Sequence, residues 1–162
     1  MAVGIDTACA KIIDIVRAIS PIRTPDAPFV CEEDAGGQVE PIEERLSGGH
    51  YRLFALRMSG APEAQDAGGG DRRYFRADLD LVVVYAMKPD PEAVRRMIAE
   101  DSASLTTALC WDVTNYDTAN SGIDTIDIVG TTLETAGPEA ADDDTAFLAT
   151  WQLEVLYREA GA

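Results

Sequence analysis

One histidine, His50, stands in SGGHY at the mouth of a strand-like run. Imidazole suits proton transfer near neutral pH. General acid–base work, however, needs a positioned partner, and no local Ser-His-Asp or Cys-His motif accompanies this residue. A hydrolase around His50 is therefore the weakest reading, and a structural or exposed histidine the stronger one. Asp142-Asp143-Asp144, with Asp124 and Asp127 on a nearby strand, offers oxygen ligands for a divalent cation. The run lacks the glycine and glutamate spacing of a calcium loop, so a solvated acidic loop is favoured. Gly68 to Gly70 lacks the Lys-Ser/Thr of a phosphate loop and precedes a strand, which makes it a hairpin tip. Asp101, Asp78 and Asp80 are placed to pair with arginines and form no paired-carboxylate site. The expectation is a protein that is not an enzyme, with no cofactor and no metal.

The basic residues are more suggestive. Arg72, Arg73 and Arg76 flank Tyr74 at the base of the glycine-rich tip, and Arg57 lies across from them on the preceding strand. They form the main basic cluster of a chain with 13 basic and 29 acidic residues, net charge −16. The excess is uneven: residues 1–96 carry a balance of −4, residues 97–162 one of −12 with Arg158 as the sole base. Such a surface repels phosphate backbones and argues against ordinary nucleic-acid binding. Solubility alone is the plain alternative.

The 162 residues, 46% of them apolar, suffice for one domain with a real core. No run approaches the length of a membrane span. Charges inside the first apolar stretch (Asp6, Lys11, Asp14, Arg17) do not suit a signal peptide. Cys9, Cys31 and Cys110 are odd in number and far apart, neither a disulfide framework nor a CxxC metal pattern; a reducing, intracellular site of synthesis is expected.

The positioning elements follow from periodicity. Ile5, Cys9, Ile12, Ile13, Val16 and Ile19 form a helical stripe, with Asp6 or Thr7 as candidate caps and Pro21 ending the helix. Residues 20–49, rich in Pro, Gly and acid, read as an irregular arm, with brief extended pieces at Phe29–Cys31 and Val39–Ile42. Tyr51 to Met58 reads as a strand whose apolar side is broken by Arg52. Tyr74 to Met87 alternates over a length of about 46 Å, more than twice a typical strand. Its polar half, up to Asp80, is expected to leave the sheet with the tip. Pro91 opens a second helix running to about Trp111, with Asp90 as cap and an apolar stripe broken once, by Asp101. Asp112 to Gly122 reads as a loop; Ile123–Leu133 and Phe147–Arg158 read as strands. The expected fold is α+β: a four-stranded, mainly antiparallel sheet with two helices packed on one face, order α-β-β-α-β-β, and a long protruding hairpin.

This organisation resembles the tail terminator (tail completion) proteins of long-tailed bacteriophages. The likeness covers about Ile5 to Arg158. It is carried by the first helix, the hairpin YRLFALRMSG and RRYFRADLDLVVVYAMKPD, the helix PEAVRRMIAEDSASLTTAL, and the closing strand TAFLATWQLEVLYRE. The resemblance implies a virion subunit, synthesised in the host cytoplasm, that forms a ring, usually six-fold, at the head-proximal end of the tail. The ring stops polymerisation of the tail-tube protein and meets the head connector or stopper, while DNA passes through its lumen without specific binding. No membrane is involved. In that setting Arg57, Arg72, Arg73, Tyr74 and Arg76 would serve a subunit or tube interface, and Asp142, Asp143 and Asp144 an acidic lumen. Another neck or tube ring protein, or a small-molecule or metal-binding α+β domain, is the alternative.

Overall fold

A computed structural model describes residues 4–20, 28–31, 52–65, 73–86, 91–136 and 146–159. His50, Arg72, the Gly68–Gly70 tip, Asp90, Asp142–Asp144 and most of the expected arm lie outside the described residues. In chain order the elements are α1 (Ile5–Arg17), β1 (Phe29–Cys31), β2 (Arg52–Met58), β3 (Glu63–Gln65), β4 (Arg73–Ala86) and α2 (Pro91–Leu105). A π-helical segment (Thr106–Trp111), a 3-10 turn (Val113–Tyr116), the one-turn helix α3 (Thr118–Ser121), β5 (Ile123–Ala136) and β6 (Ala146–Glu159) follow.

The fold is α+β; the described residues form a mixed sheet of six strands with three helices, where four strands and two helices are expected. The sheet order is β1-β2-β4-β6-β5, with β3 pairing β4 beyond the end of β2. β1 runs parallel to β2, and every other pairing is antiparallel. The extra strands are short. β1 is the extended piece expected at Phe29–Cys31, and β3 forms where the chain resumes pairing with β4 after a break at residues 59–62. Ser59 holds that break against the sheet by donating its amide to Asp78 O at 3.0 Å.

The expectation that the long strand protrudes is overturned. β4 pairs with β6 over its whole length, from Arg73↔Glu159 to Ala86↔Ala146, and on its other side with β2 and then β3. β4, β5 and β6 are each 14 residues long, so the sheet itself is long. The polar positions Arg76, Asp78 and Asp80 mark one wet face of a strand whose backbone groups stay paired; they do not mark its exit.

The opposite face carries the core. Ala77, Leu79, Leu81, Val83 and Tyr85 of β4 are buried with Ala149, Trp151, Leu153, Val155 and Tyr157 of β6. Both long helices lie there: Trp151 Nε1 donates to Ser102 Oγ of α2 at 2.8 Å, and Tyr157 sits beside Cys9 of α1. In α1 the deepest residues are Ala8, Ile12, Ile15 and Val16, so the buried stripe is rotated slightly from the expected one, with Ile5, Cys9, Ile13 and Ile19 at its flanks. Its N-cap is Gly4, without a side-chain bond, in place of Asp6 or Thr7; Asp6 lies in the first turn, where a carboxylate complements the positive helix end.

The second helix reaches Trp111 as expected, but its last six residues are π-helical. Thr106 and Thr107 bond back to the Ser102 and Ala103 carbonyls, competing with the backbone ladder. Asn115 donates to Ala108 O at 3.0 Å and Tyr116 to Leu109 O, covering carbonyls that the wider turn leaves over. The expected loop at Asp112–Gly122 thus becomes the 3-10 turn and α3, ended by Gly122 at φ 76°.

Candidate functional site

The face of the sheet turned away from α1 and α2 gathers charged side chains of β2 to β6. Residues opposite one another in register share a face, so rows can be followed from strand to strand. One row is Asp78, Glu154 and Asp127, three carboxylates directly opposite on β4, β6 and β5. The next contains Arg57, Asp80, Gln152 and Gly130. Like charges placed directly opposite each other destabilise a sheet. An acidic band at this position runs against local stability, and such conflicts concentrate where a surface has a task. Sequence reading singled out Asp78, Asp80 and Asp127 without joining them and missed Glu154; the signal was the polar phase of β6, Gln152, Glu154 and Arg158.

The arginines do not form the expected cluster. Arg57 is exposed on β2 opposite Asp80, and Arg76 pairs with Glu63 of β3 at 3.0 Å, with Asp78 between their rows. Both partners of the Arg76–Glu63 pair are well exposed, which limits it to about 0–1 kcal/mol. Arg73 is exposed opposite Glu159 and, by strand alternation, belongs to the helix-covered side. Tyr74 lies on the open face, its ring 5.5 Å from the Arg158 guanidinium, which also binds Asp124. The open face therefore carries interleaved charges, acidic in its middle rows.

A second assembly of charge is buried. Arg52 and Asp101, the two interruptions of apolar patterns, meet inside the core: Arg52 Nε lies 2.9 Å from Asp101 Oδ2, and the Tyr85 hydroxyl donates to the same oxygen at 2.7 Å. The Arg52 guanidinium also lies 5.4 Å from the Phe29 ring centroid. The network joins β1, β2, β4 and α2. Burial first, then the Asp101 charge, pushes the Tyr85 phenol well above its ordinary pKa. Because the folded pKa exceeds the unfolded value of about 10, the stability tied to the neutral phenol is complete below that pH. It is lost as pH rises from there towards the folded pKa. Tyr85→Phe is therefore expected to cost about 1–3 kcal/mol at neutral pH and to flatten the alkaline loss of stability. Urea denaturation of both proteins on either side of pH 10 checks this; parallel curves would place the alkaline sensitivity elsewhere.

No protein-family model matches the chain, and no curated protein matches it. The residues themselves must carry the functional argument. Among the described residues, no group of three or more His, Cys, Asp or Glu is arranged to hold a metal ion. The acidic run proposed for a cation lies outside them, as does His50. An open groove between the end of α1 and the α2–π segment is lined by Ile19, Ala108, Asp112 and Asn115 among others. Its polar groups have local duties: Asn115 covers Ala108 O, and Asp112 accepts from the Thr114 amide at 3.2 Å. No helix among the described residues is long and apolar enough to cross a membrane.

The third feature is the β5 edge. Along its first half β5 packs against the π segment and the 3-10 turn, which carry Cys110 and Tyr116. Burial raises the pKa of both groups. The register shifts between Ile128 and Gly130, leaving Val129 out of the ladder as in a β-bulge. Beyond it, Thr131 to Glu134 are all exposed, and Leu133 keeps 48% of its surface in solvent. Trp111, at the end of the π segment packed along β5, is 73% exposed. Sequence reading passed over Trp111 as the end of a helix.

Proposed function

We propose that this chain is a structural ring subunit of the tail-terminator type, closing the head-proximal end of a phage tail tube and meeting the head connector. The observation that carries the reading is the long two-sided sheet, helices on one face and the acidic Asp78–Glu154–Asp127 row on the other. A wall of this kind, turned inward in a ring, repels a passing nucleic acid and keeps it from sticking. The element order behind the resemblance supports the same reading. The arginines at Arg57, Arg73 and Arg76, with Tyr74, lie towards the β2–β3–β4 side and suit contacts with a neighbour or the tube.

Sedimentation and negative-stain microscopy of the purified chain are expected to show a closed ring of one size, six-fold by the resemblance, unchanged by a chelator. Added to isolated tail tubes, it should cap one end and stop their growth. A chain that stays monomeric at high concentration and leaves tube ends bare removes the proposal.

A further inference from the structure

The charge asymmetry of the sequence becomes an asymmetry between the two edges of the sheet. β5 carries Asp124, Asp127 and Glu134 and no base; the π segment and turns beside it add Asp112 and Asp117, again with no base. Outside the core, Arg57, Arg73 and Arg76 lie on β2 and β4 towards the other edge, where they offset Glu63, Asp78 and Asp80 and leave that side without the acidic excess of β5. Two acidic β5 edges repel each other, whereas an acidic edge and an arginine-bearing edge attract.

The backbone allows that union. β1 covers only Arg52–Phe54 of β2, and among the described residues no strand pairs with the outer side of Ala55–Met58. None pairs with the outer side of β5 either. The two uncovered stretches share rows: Leu56, Leu81, Trp151 and Thr131 form one, and Met58, Leu79, Leu153 and Ile128 another. The strands β2, β4, β6 and β5 alternate in direction, so a second copy set beside the first along the sheet brings its β2 against β5 in antiparallel sense. Apolar side chains accompany both edges: Val129, Leu133 and Trp111 at one, Met58, 50% exposed, at the other. The β5 stretch from Gly130 to Leu133 holds no Pro, Lys or other charge, the devices that commonly block edge pairing.

We infer that a second copy of this chain occupies the β5 edge, head to tail, with the β2 edge of one subunit meeting the Val129–Glu134 stretch of the next. The inference rests on the ring-subunit reading and specifies its interface. A head-to-tail contact leaves one edge of each type unfilled at the ends of any open chain, and a ring satisfies both.

Blocking one edge at a time tests it. Val129→Lys with Leu133→Lys blocks β5 and leaves β2 intact; Arg57→Glu with Met58→Glu does the reverse. All four residues are exposed, so the changes add no buried charge. Thr132→Lys is a second β5 variant should the first not fold, with circular dichroism as the check. Each variant alone is expected to lose ring assembly, in solution or on tube ends, and to sediment as a monomer. Mixed in equal amounts, they should form one-to-one dimers that grow no further, because one good edge of each kind remains. If the β2-edge variant dimerises with itself, the contact is isologous and the inference falls. If the wild type forms rings and both variants still do, the inference falls while the ring reading stands. A wild type that neither self-associates nor binds tube ends overturns both.

Discussion

Asp101→Ala is expected to destabilise the fold by about 3–5 kcal/mol, the range for breaking one side of a buried ion pair. Asp101 is 3% exposed and Arg52 1%, so neither is screened by bulk water. The substitution takes from the buried guanidinium the carboxylate 2.9 Å from its Nε, and from the Tyr85 hydroxyl its acceptor at 2.7 Å. Set against a total stability of about 5–15 kcal/mol, this is enough to unfold a marginal domain near physiological temperature. The cost arises from stranding charge more than from losing attraction. A triple replacement, Arg52→Met, Asp101→Leu and Tyr85→Phe, is therefore expected to be less harmful than Asp101→Ala alone, because the buried guanidinium, carboxylate and phenol are removed together. Urea denaturation reads both. A cost below about 1 kcal/mol for Asp101→Ala, typical of a surface pair, would mean that water reaches the network.

That pair also shows what the sequence could and could not tell. Arg52 breaks the apolar side of one strand and Asp101 the apolar stripe of a helix, and both interruptions are visible from spacing. That they interrupt the same place is not visible, because it depends on the Arg52↔Tyr85 register and on how α2 lies across the sheet. The alternation of β4 and β6 was fully legible, since one face of each is buried along most of its length. The exit of β4 from the sheet was misread for a related reason: polarity reports solvent on a face and says nothing of hydrogen-bonded neighbours in the plane. β5 runs three residues past its expected end at Leu133; Thr131 to Glu134 are exposed on both faces and give no hydrophobic phase to read. The π segment hid because the apolar stripe continues through Leu109, and only the threonine back-bonds and the Asp112 amide on Thr107 O reveal the wider turn. For the arginines the parity was already in the numbering: Arg73 and Arg76 cannot share a face of one regular strand.

Trp151→Ala is expected to cost about 3–5 kcal/mol, with loss of the Ser102 bond adding to the cavity left by the indole. Trp151 is fully buried at mid-strand, with Leu81 opposite on β4 and Thr131 on β5. Its Nε1 donates to Ser102 Oγ at 2.8 Å, pinning α2 to the sheet. Two milder changes separate the contributions. Ser102→Ala removes the hydroxyl and leaves the ring in place, with an expected cost of about 0.5–1.5 kcal/mol. Trp151→Phe keeps an aromatic ring and loses the donor, and should fall between that value and the alanine variant. The two tryptophans supply the readout. Trp111 is 73% exposed and Trp151 is buried, so Trp111→Phe should leave emission that shifts sharply to the red on unfolding, while Trp151→Phe should leave emission already red in the native state. Trp151 also stands in the row that runs from Leu56 on β2 to Thr131 on β5. If the two edges of the sheet join copies of the chain, this row is the rigid span between successive joints. A Trp151→Phe protein that folds yet forms irregular rings would show that the spacing of the joints is set by core packing in this row; regular rings would place that control in the edges alone.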